Sequence, residues 1–448
     1  MDKERFPDLP PRLFSASKLP DGARLNIHSK PEYLGVLVEV LDGTEAWTKI
    51  RQSQFGNLFD LPVARCSNSA KLIHGMLARQ LVTKKKHELW FVYGGFPLCF
   101  SLREFQIITG LRCAPLPSDA EVSNHQDPTY LSVWNRLFGY KKLINVSEVL
   151  DMLREDALAQ PEDRLCDWKR ISLALIVIVE GVIVCSNSRP GRVSGDIVEM
   201  LHDTAFFLEY PWGRRSFNET LSRFGPVFGK DDPFEELKRR LSQQTSCCYG
   251  FPLALQLQVL RCIPALCSKL KDSSNYRNFM ERSSESLSST VILRESDVND
   301  VEKQPYLTVK HTLLHSADIN ESELRWDDEE SDPRVDTILR LISENHKFTP
   351  SQWPYGERRT MERPRDQGNE IPTSANDILS DVEDITPGNP PTKKVKVEKN
   401  AFVRRPFTRS AGRVNVAENS GKRRSKISAK RLLLLRGVLY LHLCVTSV

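Results

Sequence analysis

The chain has no Cys-x-x-Cys pair, no glycine-rich phosphate loop, no His-Trp or Asp-Cys step, and no apolar core behind its N-terminus. Structural zinc needs closely spaced Cys or His so that four ligands converge, and neither the adjacent Cys247-Cys248 nor Cys262 and Cys267 supply that spacing. His311-x-x-x-His315 is the one spaced His pair, in polar sequence. Without GxxxxGK[ST] or GxGxxG, nucleotide binding has no cradle. The start MDKERFPDLPPRLFS does not read as a secretory leader. Ten Cys in 448 residues, with no even framework, argue against a disulfide-stapled secreted domain. The longest internal apolar run, 171–184, is 14 residues and too short to span a bilayer. No cofactor or metal is expected.

What is present divides the chain. Residues 1–25 are Pro-rich and irregular. Apolar runs recur from 26 to 270, the expected helical domain. Seven Ser then crowd 273–289, and polar, acidic and Pro-rich sequence follows. Such sequence buries too little apolar surface to offset chain entropy of ~1–2 kcal/mol per residue, so 271–431 is expected to be disordered. The expected fold is mainly α with a β-hairpin (α+β), a single globular N-terminal domain followed by a long disordered C-terminal region.

Within 26–270, Leu72, Ile73, Met76, Leu77 and Leu81 recur at three- and four-residue steps and predict a helix. ELWFVY and FPLCFS flank Gly94-Gly95, the pattern of a hairpin with a primed turn; Pro97 places its second strand at an edge. Ser101 and Glu104 form a capping box before FQIIT, and Gly110 stops that helix. Ser216 and Glu219 repeat the capping spacing. Pro252 starts a helix that ends before Pro264. ISLALIVIVEGVIV reads as a buried central element whose Glu180 needs a partner. Cys66 beside Arg65 and Cys113 beside Arg112 are the nearest nucleophile candidates, and read better as structural thiols. The run Lys84-Lys85-Lys86-His87 reads as an exposed turn.

Charge is uneven. Residues 386–436 hold fifteen Lys or Arg against Glu398 and Glu418, a net +13 in a chain whose total is +5. Two clusters stand out. Lys393, Lys394 and Lys396 lie in the first; Lys422, Arg423, Arg424, Lys426, Lys430 and Arg431 lie in the second. Short basic clusters on a flexible chain suit the acidic groove of a nuclear import receptor and neutralise nucleic-acid phosphates without reading sequence. The expected location is the nucleus and the expected partners are proteins, with weak nucleic-acid contact open and a membrane not expected. Val395-Lys396-Val397-Glu398 fits SUMO attachment at Lys396, and Ile378-Leu379 beside acids fits a SUMO-binding strand. The stretch 318–336 carries nine carboxylates against two Arg, and reads as solvating or as folding back on the basic tail. The apolar run 432–448 reads as an altered reading frame, ahead of a tail anchor or an amphipathic partner helix.

The stretches 58–113, WKRISLALIVIVEGVIV (168–184), FFLEYPWGRRSFNETLSRF (206–224) and CYGFPLALQLQVL (248–260) together resemble the plant domain of unknown function nineteen eighty-five. The resemblance covers about 26–270. It implies a plant protein of a family without established activity, often encoded in or beside transposable elements. Many members carry a downstream ubiquitin-like (SUMO) cysteine protease domain. That domain's His-Trp and Asp-Cys-Gly elements are not found here, so no catalytic residue is carried over and the chain is not expected to be an enzyme. The expected function is a non-catalytic nuclear interaction module. The alternatives are a nucleic-acid-associated protein of mobile-element origin using its basic tail, and an enzyme of unknown type in 26–270.

Overall fold

The computed structural model describes residues 8–354 apart from 22, 127–131, 186–190, 230–231, 282–286, 288–292 and 312–318. Strand β1 (Arg24–Ile27) leads into α1 (Glu32–Leu41), α2 (Glu45–Gln52) and α3 (Ala70–Leu77). The hairpin β2 (Glu88–Tyr93) and β3 (Phe96–Ser101) runs directly into α4 (Leu102–Thr109). Helices α5 (Asp119–Asn124), α6 (Ser132–Phe138), α7 (Val146–Leu158), α8 (Asp167–Ile178), α9 (Gly195–Glu199), α10 (Thr204–Glu209), α11 (Trp212–Phe224) and α12 (Pro233–Leu241) follow. Then come β4 (Thr245–Cys248), α13 (Leu253–Cys262), α14 (Pro264–Cys267), α15 (Glu295–Glu302) and α16 (Pro333–Ser343). β1 pairs with β4 in parallel, from Arg24–Thr245 to Ile27–Cys248. The architecture is mainly α with a hairpin, as the sequence predicts.

The hairpin forms as its sequence dictates. Glu88 faces Ser101 and Tyr93 faces Phe96, leaving Gly94 and Gly95 as a two-residue turn with φ +57° and +93°. Both values favour glycine and match a primed turn. The amide of Val92 turns away from β3 and donates to Arg79 O at 3.0 Å. Val92 and Pro97 are therefore a non-hydrogen-bonded pair, and the amide that Pro97 lacks would have pointed off the sheet edge. The Ser101–Glu104 capping box is formed, with Ser101 N donating to Glu104 Oε2 at 3.1 Å, and Gly110 ends α4 at φ +67°.

Helix α8 is buried along most of its length and continues as one π-helical turn, Val179–Ile183. The amide of Val184 reaches back to Val179 O. The carbonyls freed at this end find donors from three other parts of the chain. Lys30 N donates to Gly181 O at 2.8 Å, Ser29 Oγ to Val182 O at 2.6 Å, Ser216 Oγ to Ile183 O, and Gly250 N to Val184 O at 2.7 Å. Ser216 is thus no helix cap. Helix α11 starts four residues earlier, after Pro211, and the Ser216 hydroxyl serves the neighbouring helix.

Further expectations are corrected. Leu81 lies beyond α3, in a bridge to Arg12, because α3 ends at Leu77 and the chain turns to flank β2. The folded part also extends well beyond residue 270. Val298 and Val301 of α15 join the main core. Val335, Ile338 and Leu341 of α16 form a second core with Leu9, Trp90, Val92, Phe348 and Trp353. Average composition hid these positions because they are few, but they recur at helical spacing, so each helix presents one apolar stripe. Residues 8–21 are irregular yet docked, with Leu9 and Leu13 buried, whereas Arg24 and Leu25, expected to be irregular, already lie in β1. Residues 355–431 and the apolar run 432–448 lie outside the described residues.

Candidate functional site

The acidic stretch does not stand free. It crosses the basic run before β2, and opposite charges meet. His87 Nε2 is 2.6 Å from Asp328 Oδ1, Lys86 Nζ 2.9 Å from Glu330, and Lys85 Nζ 3.8 Å from Glu329. Lys84 contributes its backbone, its amide donating to Asp332 Oδ2 at 2.8 Å. The buried Asp332 also caps α16, accepting from Arg334 N at 3.0 Å. At the other end of the crossing, Arg103 Nε donates to Glu321 at 2.8 Å. The Lys84–His87 run is therefore a docking edge; of its four residues only Lys84 is fully exposed.

Trp326 sits at the centre. Its ring stacks on His87, centroids 3.9 Å apart and planes 6° from parallel. The Arg214 guanidinium lies 4.1 Å from the same ring. Arg214 is buried at the first turn of α11, held by Nε to Cys113 O at 3.0 Å. Its remaining nitrogens donate to main-chain carbonyls of the crossing segment, Glu323 O at 2.6 Å and Arg325 O at 3.2 Å. Burial lowers the pKa of this guanidinium, with partial compensation from Asp327. Leu324 is buried against the main core alongside. The hydrogen bond from His87 holds Asp328 below the usual carboxylate range, and Glu330 raises Lys86.

Magnitudes rank these contacts. Exposed ion pairs contribute about 0–1 kcal/mol each. A cation over an indole adds ~0.5–2 kcal/mol, more as water is excluded. Burial of Leu324 and the half-buried indole is worth about 1.5–3 kcal/mol per side chain. Aromatic and apolar contacts hold the segment, and the carboxylates set its register. Arg214, Arg103 and Trp326 escaped the sequence reading. The one available signal was Trp326 itself, a large apolar side chain amid nine carboxylates.

A second feature lies in the core. Glu180, on the π turn, accepts from Ser194 N at 2.8 Å through Oε1, while its buried Oε2 has no hydrogen-bond partner among the described residues. Burial pushes its pKa up to about 7. The predicted need for a partner is half met.

The nucleophile candidates are not activated. Cys66 and Cys113 are buried, and burial pushes both thiols up despite the adjacent arginines. Cys262 is likewise pushed up to about 12. His311 is ordered, its Nδ1 3.1 Å from Pro97 O, while His315 lies outside the described residues. Among the described residues no group of three or more His, Cys, Asp or Glu is placed to hold a metal, and no helix is long and apolar enough to cross a membrane. The import candidates Lys393, Lys394, Lys396, Lys422, Arg423, Arg424, Lys426, Lys430 and Arg431, the SUMO acceptor Lys396, and Ile378-Leu379 all lie outside the described residues.

Residues 77–223 match the family described as domain of unknown function (DUF1985). The match covers about a third of the chain. No curated protein and no solved structure matches the chain. The matched span supplies the polar and aromatic receiving groups of the crossing: Lys84 to His87, Arg103 and Arg214. The segment it receives, 319–332, comes from outside the matched span.

Proposed function

We propose that the chain is a non-catalytic nuclear interaction protein whose DUF1985 domain holds polypeptide segments. The observation that carries this reading is the use of Arg214 and His87. Both spend their chemistry on a segment of chain, through carbonyl acceptors and an indole, rather than on a reacting centre. The raised thiols of Cys66 and Cys113 support a non-catalytic role. Nuclear address is assigned to the basic clusters at 390–399 and 421–431, with Lys396 as a SUMO acceptor. Plant origin and mobile-element ancestry follow from the family resemblance.

The test is a fluorescent fusion of the full chain. It should concentrate in nuclei, and deletion of 390–431 should release it to the cytoplasm; an unchanged nuclear signal sinks the assignment. In the same cells, proximity labelling by the full chain should yield a partner set that Arg214→Ala reduces. An identical set would remove the clamp from the interaction role. A second reading, sequence-independent nucleic-acid contact, rests on the +13 charge of 386–436. It calls for nucleic-acid affinity that falls steeply with salt.

A further inference from the structure

The clamp is filled by its own chain, and the way it is filled describes what else it accepts. Arg214 grips the segment through the carbonyls of Glu323 and Arg325, acceptors that any polypeptide offers. Beside the buried Leu324, two kinds of side chain are selected by specific contacts: an indole, by the His87 ring and the Arg214 guanidinium, and carboxylates, by Arg103, Lys86 and His87.

The filling segment is also separable. The side chains of Glu321, Asp328 and Glu330 are 60%, 62% and 56% exposed within their ion pairs. Leu324 is the one apolar side chain it buries in the main core, with Ile319 and Trp326 packed against that core partly buried. Helix α16 is fastened independently through the second core, by Val335, Ile338 and Leu341 against Trp90 and Val92. Residues 319–331 can therefore lift while α16 stays on the hairpin, the kind of local opening that costs less than global unfolding.

We propose that this face of the DUF1985 domain is an exchangeable receptor for an acidic, tryptophan-bearing segment of a partner protein, occupied in the resting chain by residues 319–331. The proposal rests on the interaction-module reading and names the partner's chemistry. A tethered occupant competes at high effective concentration, so a partner succeeds by carrying more carboxylates around its indole, or by binding at a second point as well.

The probe is a fluorescent synthetic peptide with the sequence of residues 319–332, titrated into the full-length chain and followed by anisotropy. Trp326→Ala empties the clamp in cis. The peptide should then bind at least tenfold more tightly than to the unsubstituted chain, and less tightly as salt rises. Adding His87→Ala to Trp326→Ala should abolish that gain, as should replacing the peptide's own tryptophan by alanine. Circular dichroism checks folding. If Trp326→Ala does not fold, Asp328→Asn with Glu330→Gln, which changes only exposed carboxylates, should give a several-fold gain instead. Folded variants that bind the peptide no better than the unsubstituted chain overturn the proposal, as does a gain that survives loss of either tryptophan or His87. The broader reading fails separately: a fusion unaffected by the basic-cluster deletion, or a labelling set unaffected by Arg214→Ala, counts against it whatever the peptide does.

Discussion

The imidazole of His87 lies flat against the indole of Trp326, 3.9 Å between ring centroids, while its Nε2 meets Asp328 at 2.6 Å. One side chain thus reads both an aromatic and a charge on the same crossing segment, and these two contacts join the DUF1985-matching span to sequence well outside it.

Arg214 should be the costliest residue of this junction to lose. Arg214→Ala leaves the carbonyls of Cys113, Glu323 and Arg325 without their donor and exposes one ring of Trp326. The expected loss is about 1–3 kcal/mol by urea denaturation, since the buried Cys113 carbonyl loses its donor at full desolvation cost while the part-buried carbonyls of Glu323 and Arg325 turn to water. Arg214→Lys keeps charge but not the fork, and should fall in between. A loss no larger than that of an exposed arginine such as Arg154 would show the contacts to be idle.

Glu180 predicts a pH dependence of definite sign. Its pKa rises from 4.5 when unfolded to about 7 when folded, because burial penalises the carboxylate. The folded chain therefore binds this proton more tightly than the unfolded chain. Stability from this group is complete below about pH 4.5, falls as pH climbs to about 7, and is level above that. The drop amounts to roughly 3 kcal/mol. Glu180→Gln should remove most of this slope, measured as denaturation midpoints between pH 4.5 and 8. A slope identical in both proteins would mean the carboxylate is better solvated than its position indicates.

The hairpin turn fixes where the C-terminal end of the described chain docks. A Cβ at Gly95 would lie 2.7 Å from Pro350 N, 2.8 Å from Thr349 C and 2.9 Å from Pro350 Cδ, at a φ of +93°. Gly95 O also accepts from Trp353 Nε1 at 2.7 Å. Gly95→Ala should release residues 349–354 and lower stability by about 1–3 kcal/mol. Limited proteolysis would show it, as cleavage within residues 349–354 that is faster in the variant than in the unsubstituted chain.

Thiol labelling should separate the cysteines by burial. Cys166 is exposed, whereas Cys66, Cys113, Cys185, Cys248 and Cys262 are buried. An alkylating reagent at neutral pH should modify Cys166 within minutes, and the buried five only on unfolding. Rapid labelling of Cys66 or Cys113 in the folded chain would reopen the case for a nucleophile.

Local sequence carried much of this fold. The hairpin, the Ser101 cap and the Gly110 stop depend on residues within a few positions of one another, and all are found where their spacing places them. Ser216 shows the limit: its spacing to Glu219 satisfies a capping rule, but a distant carbonyl, Ile183 O, claims the hydroxyl. The clamp was least legible. Its basic run and its acidic segment were each visible as charge, yet which partners which is decided by Leu324, Trp326 and the α16 stripe, and nothing local encodes that pairing.

The π turn at the end of α8 carries a lesson for anyone cutting this chain. Of its last four carbonyls, Ser216 caps that of Ile183 from within the matched span, while Ser29, Lys30 and Gly250, which cap the other three, lie beyond its boundaries at 77–223. A fragment trimmed to those boundaries would leave this deeply buried helix frayed at its tip. The unit that evolution recognises by sequence is smaller than the unit that closes its own hydrogen bonds, and expression work should begin from the latter.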